Sequence, residues 1–404
     1  MDAGAVPVPS PKLIVPALGI TQILAWGSSY YLPAVLAKPI ATDTGWPLAW
    51  VVGGLSLGLL IAGLVSPAVG RQIHRRGGRP VLAASAVLLG IGLIDLSLAP
   101  SLPVYVAGWL VIGLAMGAGL YDAAFSTLGR LYGPAARHHI TTLTLFGGLA
   151  STVCWPLSAW LVTEFGWRGA CAAYAAIHLL FSLPVYVLAI SDRHAPSWEP
   201  LQTGFRDGGR TAAVPRLGAV FAVLAAVIMI GSMLSTVISV HLLSILQSQG
   251  IALAAAVALG AVVGPAQVGA RFTEMLVSRY HHPIWTKVAS VSLVALGLGL
   301  LWAQVPVIAI ALVLYGAGIG LESIARATVP LALFGAADYA PIMGRLARPS
   351  LIAQAVAPSL GALLIQAMGS DGALGVMATV AAANVALSLV LLAMTTRRRQ
   401  SLTA

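Results

Sequence analysis

Glu322 and Arg326 stand four residues apart inside an apolar run, Gly316 to Pro330, that reads GAGIGLESIARATVP. At that spacing two side chains share one face of a helix. A carboxylate in such surroundings is a candidate proton carrier, because burial opposes its charged form while a neighbouring guanidinium favours it. The competing reading is a self-neutralising pair that seals or gates the protein. Arg271 and Glu274 repeat the theme three residues apart, and Gln267 precedes Arg271 by four. Guanidinium is permanently charged and offers a planar fork to carboxylate, so Arg271 is a candidate grip for an anionic ligand, or a pin at a helix end. Asp122 reads as a helix-end partner for Arg130 or, less simply, as a proton relay. Gln22, Trp26 and Tyr30 follow one another at four-residue steps and form a single helical stripe. Gln22 is too polar to face lipid, so the stripe faces inward, and Gln354 carries the same argument. His178 and His241 read as hydrogen-bonded structural histidines.

Other chemistry is missing from the sequence. There is no Gly-x4-Gly-Lys-Ser/Thr phosphate loop, no His-Glu-x-x-His helix and no Gly-x-Ser-x-Gly elbow, so neither ATP-driven transport nor an enzymatic centre is expected. Cys154 and Cys171 both lie in apolar segments and offer neither a disulfide framework nor metal-ligand spacing. No metal and no cofactor is expected.

Charges this far inside apolar runs need elements that hold them out of lipid. Hydrophobic types make up 59% of the 404 residues and charged types 8%, against roughly 25% charged in a soluble domain. The chain is therefore expected to be an all-α polytopic membrane protein. Crossing a bilayer as a helix takes about 20 apolar residues. Twelve such segments can be laid down, near 13–37, 48–69, 81–99, 104–128, 139–163, 169–190, 217–246, 252–276, 288–304, 307–334, 350–368 and 373–395. No cleavable signal is expected ahead of the first span.

With the N-terminus inside, 18 of the 22 lysines and arginines fall on the cytoplasmic side, Lys287 among them as a loop charge. The positive-inside rule demands such a bias, which predicts both termini in the cytoplasm of an inner-membrane protein. The net charge of +10 is then topological and needs no nucleic acid. Ser191 to Arg216, rich in proline and glycine, divides the spans six and six. The expected domains are an N-terminal six-helix bundle over 1–190, a cytoplasmic linker over 191–216 and a C-terminal six-helix bundle over 217–404.

The two halves read as repeats. Pro103, Gly113 and Gly117 of the fourth span recur as Pro306, Gly316 and Gly320 of the tenth at one offset, 203 residues (306 − 103). Pro156 and Pro358 recur at 202 (358 − 156). Parallel six-span repeats are a known transporter plan, with the binding site expected at their junction.

Gly70 to Arg79, GRQIHRRGGR, resembles the loop signature Gly-x-x-x-Asp-Arg-x-Gly-x-Arg of the major facilitator superfamily, matched at Gly70, Arg75, Gly77 and Arg79. The resemblance implies twelve helices in two pseudo-symmetric six-helix bundles. His74 stands where the family has an aspartate that helps latch the cytoplasmic side. Asp43-Thr44-Gly45-Trp46, Pro67-x-x-Gly70 and Phe165-Gly166-Trp167-Arg168 resemble the monocarboxylate-transporter-like branch, which includes bacterial organic-anion carriers. In that branch an arginine similar to Arg271 grips the substrate carboxylate. Spans one and eleven lack the lysines found in other members, which argues against a dicarboxylate.

The expected function is secondary transport by alternating access, with protons coupled to a small monoanionic organic acid. Arg271, Gln22, Trp26, Tyr30, Gln267 and Gln354 are the candidate substrate lining; Glu322, Arg326, Asp122 and Glu274 are the candidate coupling or gating groups. The alternative is proton-antiport efflux of a drug or toxic solute, including a metalloid. Span five, with Gly147 to Pro156, departs from the Gly-x-x-x-Gly-Pro pattern associated with antiporters. A receptor or structural membrane protein without flux is a third class, disfavoured by the buried charges. The expected partners are an anionic small molecule, protons and the lipid bilayer, with the chain a monomer.

Overall fold

The computed structural model describes residues 10–190 and 213–403, all as helices and short connections. Most of the expected 191–216 linker lies outside the described residues. In order, the first six-span half comprises α1 (Pro11–Gly27), α2 (Leu32–Thr44), α3 (Leu48–Arg76), α4 (Gly78–Leu98), α5 (Leu102–Gly119), α6 (Tyr121–Tyr132), α7 (Ala136–Gly148), α8 (Ala150–Ile177) and α9 (Leu183–Ala189). A π-helical turn, His178–Ser182, joins α8 to α9. The second comprises α10 (Ala213–Ser248), α11 (Leu253–Ala261), α12 (Val263–Val277), α13 (Pro283–Trp302), α14 (Ile308–Phe334) and α15 (Tyr339–Thr403).

Among the described residues nine helical stretches are long and apolar enough to cross a membrane. Two of them are too long for one crossing. Leu102–Ala189 has 88 residues, about 130 Å if straight against a hydrocarbon core of ~30 Å, and Tyr339–Thr396 has 58. The first turns at Gly133 and again inside α8 at Gly166 (φ 69°), the second inside α15 at Gly369 (φ 72°). Seven stretches cross once, the 88-residue one three times and the 58-residue one twice, which makes the twelve spans expected.

The turns carry the repeat further than the sequence did. Gly166 and Gly369 lie 203 residues apart (369 − 166), with ψ of 175° and 174°. A side chain with a Cβ rarely tolerates that backbone, so glycine is what allows the chain to reverse there. The packing repeats as well. A Cβ on Gly113 of α5 would come within 2.7 Å of the Gly58 carbonyl of α3, and one on Gly316 of α14 within 2.7 Å of the Val263 carbonyl of α12. One turn on, Gly117 meets Ala62 and Gly320 meets Gln267. The recurring glycines thus seat span four on span two and span ten on span eight.

By contact the chain groups into two compact units, Met1–Pro200 with Phe334–Ala355, and Leu201–Leu333 with Val356–Ala404. In the first, Trp167 Nε1 donates to Asp43 Oδ2 at 2.8 Å, joining two of the sequence motifs, and Arg168 donates to the Ser97 and Ala99 carbonyls. Its apolar core surrounds Tyr105, Trp109 and Tyr174; that of the second surrounds Leu298, Leu312 and Leu374.

Gly316→Leu is expected to destabilise the protein by about 1–3 kcal/mol or more, since backbone must move to admit it. Gly299→Leu, where a Cβ meets nothing within 4 Å, is the control. Thermal unfolding in detergent checks the pair, and equal midpoints would contradict the packing.

Candidate functional site

Helices α13 and α14 touch backbone to backbone. A Cβ on Gly297 would come within 2.6 Å of the Ala311 carbonyl, and one on Gly318 within 2.8 Å of the Ser290 carbonyl. Glu322 lies one turn beyond Gly318, and Lys287 one turn before Ser290, so the close approach brings the two charges together. Lys287 Nζ donates to both carboxylate oxygens of Glu322. The lysine is 0% exposed and the glutamate side chain 13%. Ser290 Oγ lies 3.0 Å from Glu322 Oε2 and 2.9 Å from the Gly318 carbonyl, within donating reach of both.

This arrangement adds to the sequence reading once and corrects it once. Glu322 is paired with Lys287, a partner the sequence reading did not consider, while Arg326 sits half-buried one turn along α14. Lys287 is not a loop charge but a wholly buried residue in the second turn of α13. A lysine against the start of a span, facing a lone acid in the next, was the available signal.

Beside the pair lies a small cavity of about 10 Å³, bordered by Gly231 of α10, Ser290, Glu322 and Asn384 of α15. Asn384 is 2% exposed. Its Nδ2 donates to the Val227 carbonyl at 3.3 Å, and its Oδ1 is buried with no hydrogen-bond partner among the described residues.

Also in the second unit, Arg271 is 6% exposed and donates to Gln267 Oε1 at 3.4 Å. Glu274 accepts from Thr286 Oγ1 at 2.8 Å and lies 3.4 Å from His281 Nε2. His241 meets the Pro358 carbonyl at 2.9 Å, a structural contact.

The first unit holds a neutral counterpart. Position 322 maps at the 203 offset to Gly119, whose carbonyl accepts from Gln22 Nε2 at 2.6 Å, and Ser85 faces Gly119 as Ser290 faces Glu322. Three spans break around this point: between α1 and α2, between α5 and α6, and at Leu149 between α7 and α8. Trp26 packs there with Tyr30, Tyr31 and Tyr121, ring centroids 5.0–6.2 Å apart. Gln354 donates to Ser350. His178 pairs with Ser28 at 2.7 Å, both buried. Asp122 opens α6, while Arg130 donates to the His74 carbonyl. Gly70 packs on the backbone of Ala340 and Gly344, Gly77 (φ 87°) ends α3, Arg75 is exposed and Arg79 half-buried.

The sequence profile described as Major Facilitator Superfamily matches residues 18–344. The chain is 30% identical over 199 residues to a Pseudomonas aeruginosa protein named transcription regulatory protein OpdE, covering 49% of this chain and 46% of that one. It is 33% identical over 143 residues to Monocarboxylate transporter 11 of Mus musculus, covering 34% and 30%. The chain spans less than half the length of these curated relatives. Among solved structures it is similar to the human organic anion transporter MFSD10 (TM-score 0.71, 15% identity, 94% of this chain and 100% of that one). It also resembles the proton:xylose symporter XylE (TM-score 0.70, 13% identity, 93% and 94%).

Removing one partner of a buried ion pair strands the other charge. Lys287→Met is expected to destabilise by about 3–5 kcal/mol, and adding Glu322→Leu to recover most of the loss. A double-mutant cycle on thermal stability measures this, and simple additivity would contradict the pairing.

Proposed function

Because the chain belongs to the Major Facilitator Superfamily and is a secondary transporter of that family, we propose that it carries a small organic monoanion, of the monocarboxylate kind, together with protons. The observation that carries the reading is the buried pair of Lys287 and Glu322. When Glu322 takes a proton, the pair loses its negative member and leaves an ammonium uncompensated in an apolar interior. An anion entering the same unit restores neutrality, and a proton without the anion does not. Proton and monoanion therefore each favour the binding of the other, a coupling that is reciprocal by linkage. Arg271, in the same unit, supplies the fork that orients a carboxylate, with Gln267 as its neighbour. Gln22, Trp26, Tyr30 and Gln354 of the first unit are proposed as further substrate contacts.

Two of the similar proteins are named for organic anions, Monocarboxylate transporter 11 and MFSD10, which supports this substrate class. The proposed setting is the inner membrane, both termini cytoplasmic and the chain a monomer. His74 leaves the loop between α3 and α4 without the usual acid, so Glu322 is the proposed seat of proton coupling and Arg326 its neighbouring modulator.

The test is flux into liposomes of purified protein under an imposed pH gradient, across short aliphatic and aromatic monocarboxylates, dicarboxylates and lipophilic cations. The expected result is pH-driven accumulation of a monocarboxylate. Glu322→Gln should lose that accumulation by tenfold or more yet keep exchange of labelled for unlabelled substrate, because a permanently neutral side chain still permits the anion to bind. Accumulation of lipophilic cations alone, or an unimpaired Glu322→Gln protein, contradicts the reading.

A further inference from the structure

We infer that the cavity beside Glu322 is a water site through which protons reach that carboxylate, with Asn384 positioning the water and Gly231 leaving it room. The inference rests on the reading of Glu322 as the coupling group. A buried amide oxygen without a partner is uncommon, and the usual resolution is an ordered water in adjoining space. Asn384 fits that description. Its amide is oriented by the bond from Nδ2 to the Val227 carbonyl, since a flipped amide would set two carbonyl oxygens against each other. Oδ1 is thereby the atom left unsatisfied. The cavity borders both Asn384 and Glu322. A water there has the Glu322 carboxylate, the Ser290 hydroxyl and the Asn384 amide along its walls, at least the two polar partners that a buried water needs.

Gly231 is what keeps the space open. A Cβ built on it lies 3.7 Å from the Glu322 carboxylate carbon, from Oε1 and from Asn384 Nδ2, ordinary contact distance with no clash. The residue at 231 thus stands between the two polar groups, and any side chain larger than hydrogen occupies part of the gap. Glu322 keeps 13% exposure, so its side chain is not wholly packed by protein. A hydronium arriving at the site gives its extra proton to the carboxylate and remains as water, which leaves Glu322 neutral and Lys287 free to take another counter-ion.

The charged groups around the carboxylate favour water over a metal cation. Lys287 from α13 bonds both oxygens and Arg326 lies on α14 itself, while α10 and α15 line the cavity with no titratable side chain among the described residues. A sodium ion in the same space would be repelled by the adjacent ammonium, whereas a neutral water is not.

Gly231→Ala is the decisive variant. Alanine meets no clash and is the better helix former, so the protein should fold with an unchanged or higher thermal midpoint. We expect pH-driven uptake to slow tenfold or more while substrate exchange stays at the wild-type rate. Asn384→Leu should show the same split. If wild type and Glu322→Gln behave as expected above but Gly231→Ala accumulates substrate at the wild-type rate, the water site is overturned and the coupling role stands. If wild type shows no pH-driven uptake, both fall. Uptake driven by a sodium gradient and blocked by Gly231→Ala would make this a cation site and also overturn the inference.

Discussion

A lysine with no exposed surface and a glutamate bonded to it through both oxygens set the terms for the second unit. Neither ion is tolerated alone in an apolar interior, and together they persist only while their geometry is held. The structure holds it with glycine. Gly297 and Gly318 let α13 and α14 approach until backbone meets backbone, and Ser290 ties the carboxylate to the same contact through the Gly318 carbonyl. Changing the charge on either ion therefore alters the balance of the whole helix pair. That property is what supports the proposal of the pair as a means of coupling and not simply a brace.

The duplication sharpens this point. The two halves share their turns, at Gly166 and Gly369, and their glycine seats, at Gly113 and Gly316. They even share a serine facing the critical position, Ser85 and Ser290. They differ in what that position holds. In the first unit it is Gly119, whose carbonyl takes a hydrogen bond from Gln22; in the second it is Glu322, held by Lys287. One scaffold thus carries a neutral polar contact in the first unit and a charged one in the second.

The sequence made the spans, the six-and-six division and the glycine repeat legible because each is written in local pattern: run length, charge placement and a fixed offset. Glu322 was legible as an ionisable group where lipid would not accept one. Its partner was not. Periodicity tells which face a residue occupies but not which neighbouring helix that face meets, so Arg326, on the same helix, looked nearer than Lys287, 35 residues earlier. Lys287 was also disguised by position. At the edge of a span it counts toward the positive-inside tally, and only its packing against Glu322 shows that it is buried. Asn384 stands in a run of alanine, valine and leucine, where a single amide carries little signal until its unsatisfied oxygen is seen beside a cavity. The monocarboxylate-like motifs were legible as motifs, but that Asp43 and Trp167 bond to each other emerged only in three dimensions.

The central claim is that Glu322 becomes protonated as the anion binds. Infrared difference spectroscopy of the purified protein, recorded on adding a monocarboxylate substrate, tests it most directly. The account predicts the carbonyl stretch of a protonated carboxylic acid, appearing with substrate and missing in Glu322→Gln. A spectrum in which saturating substrate leaves every buried carboxylate ionised would contradict it.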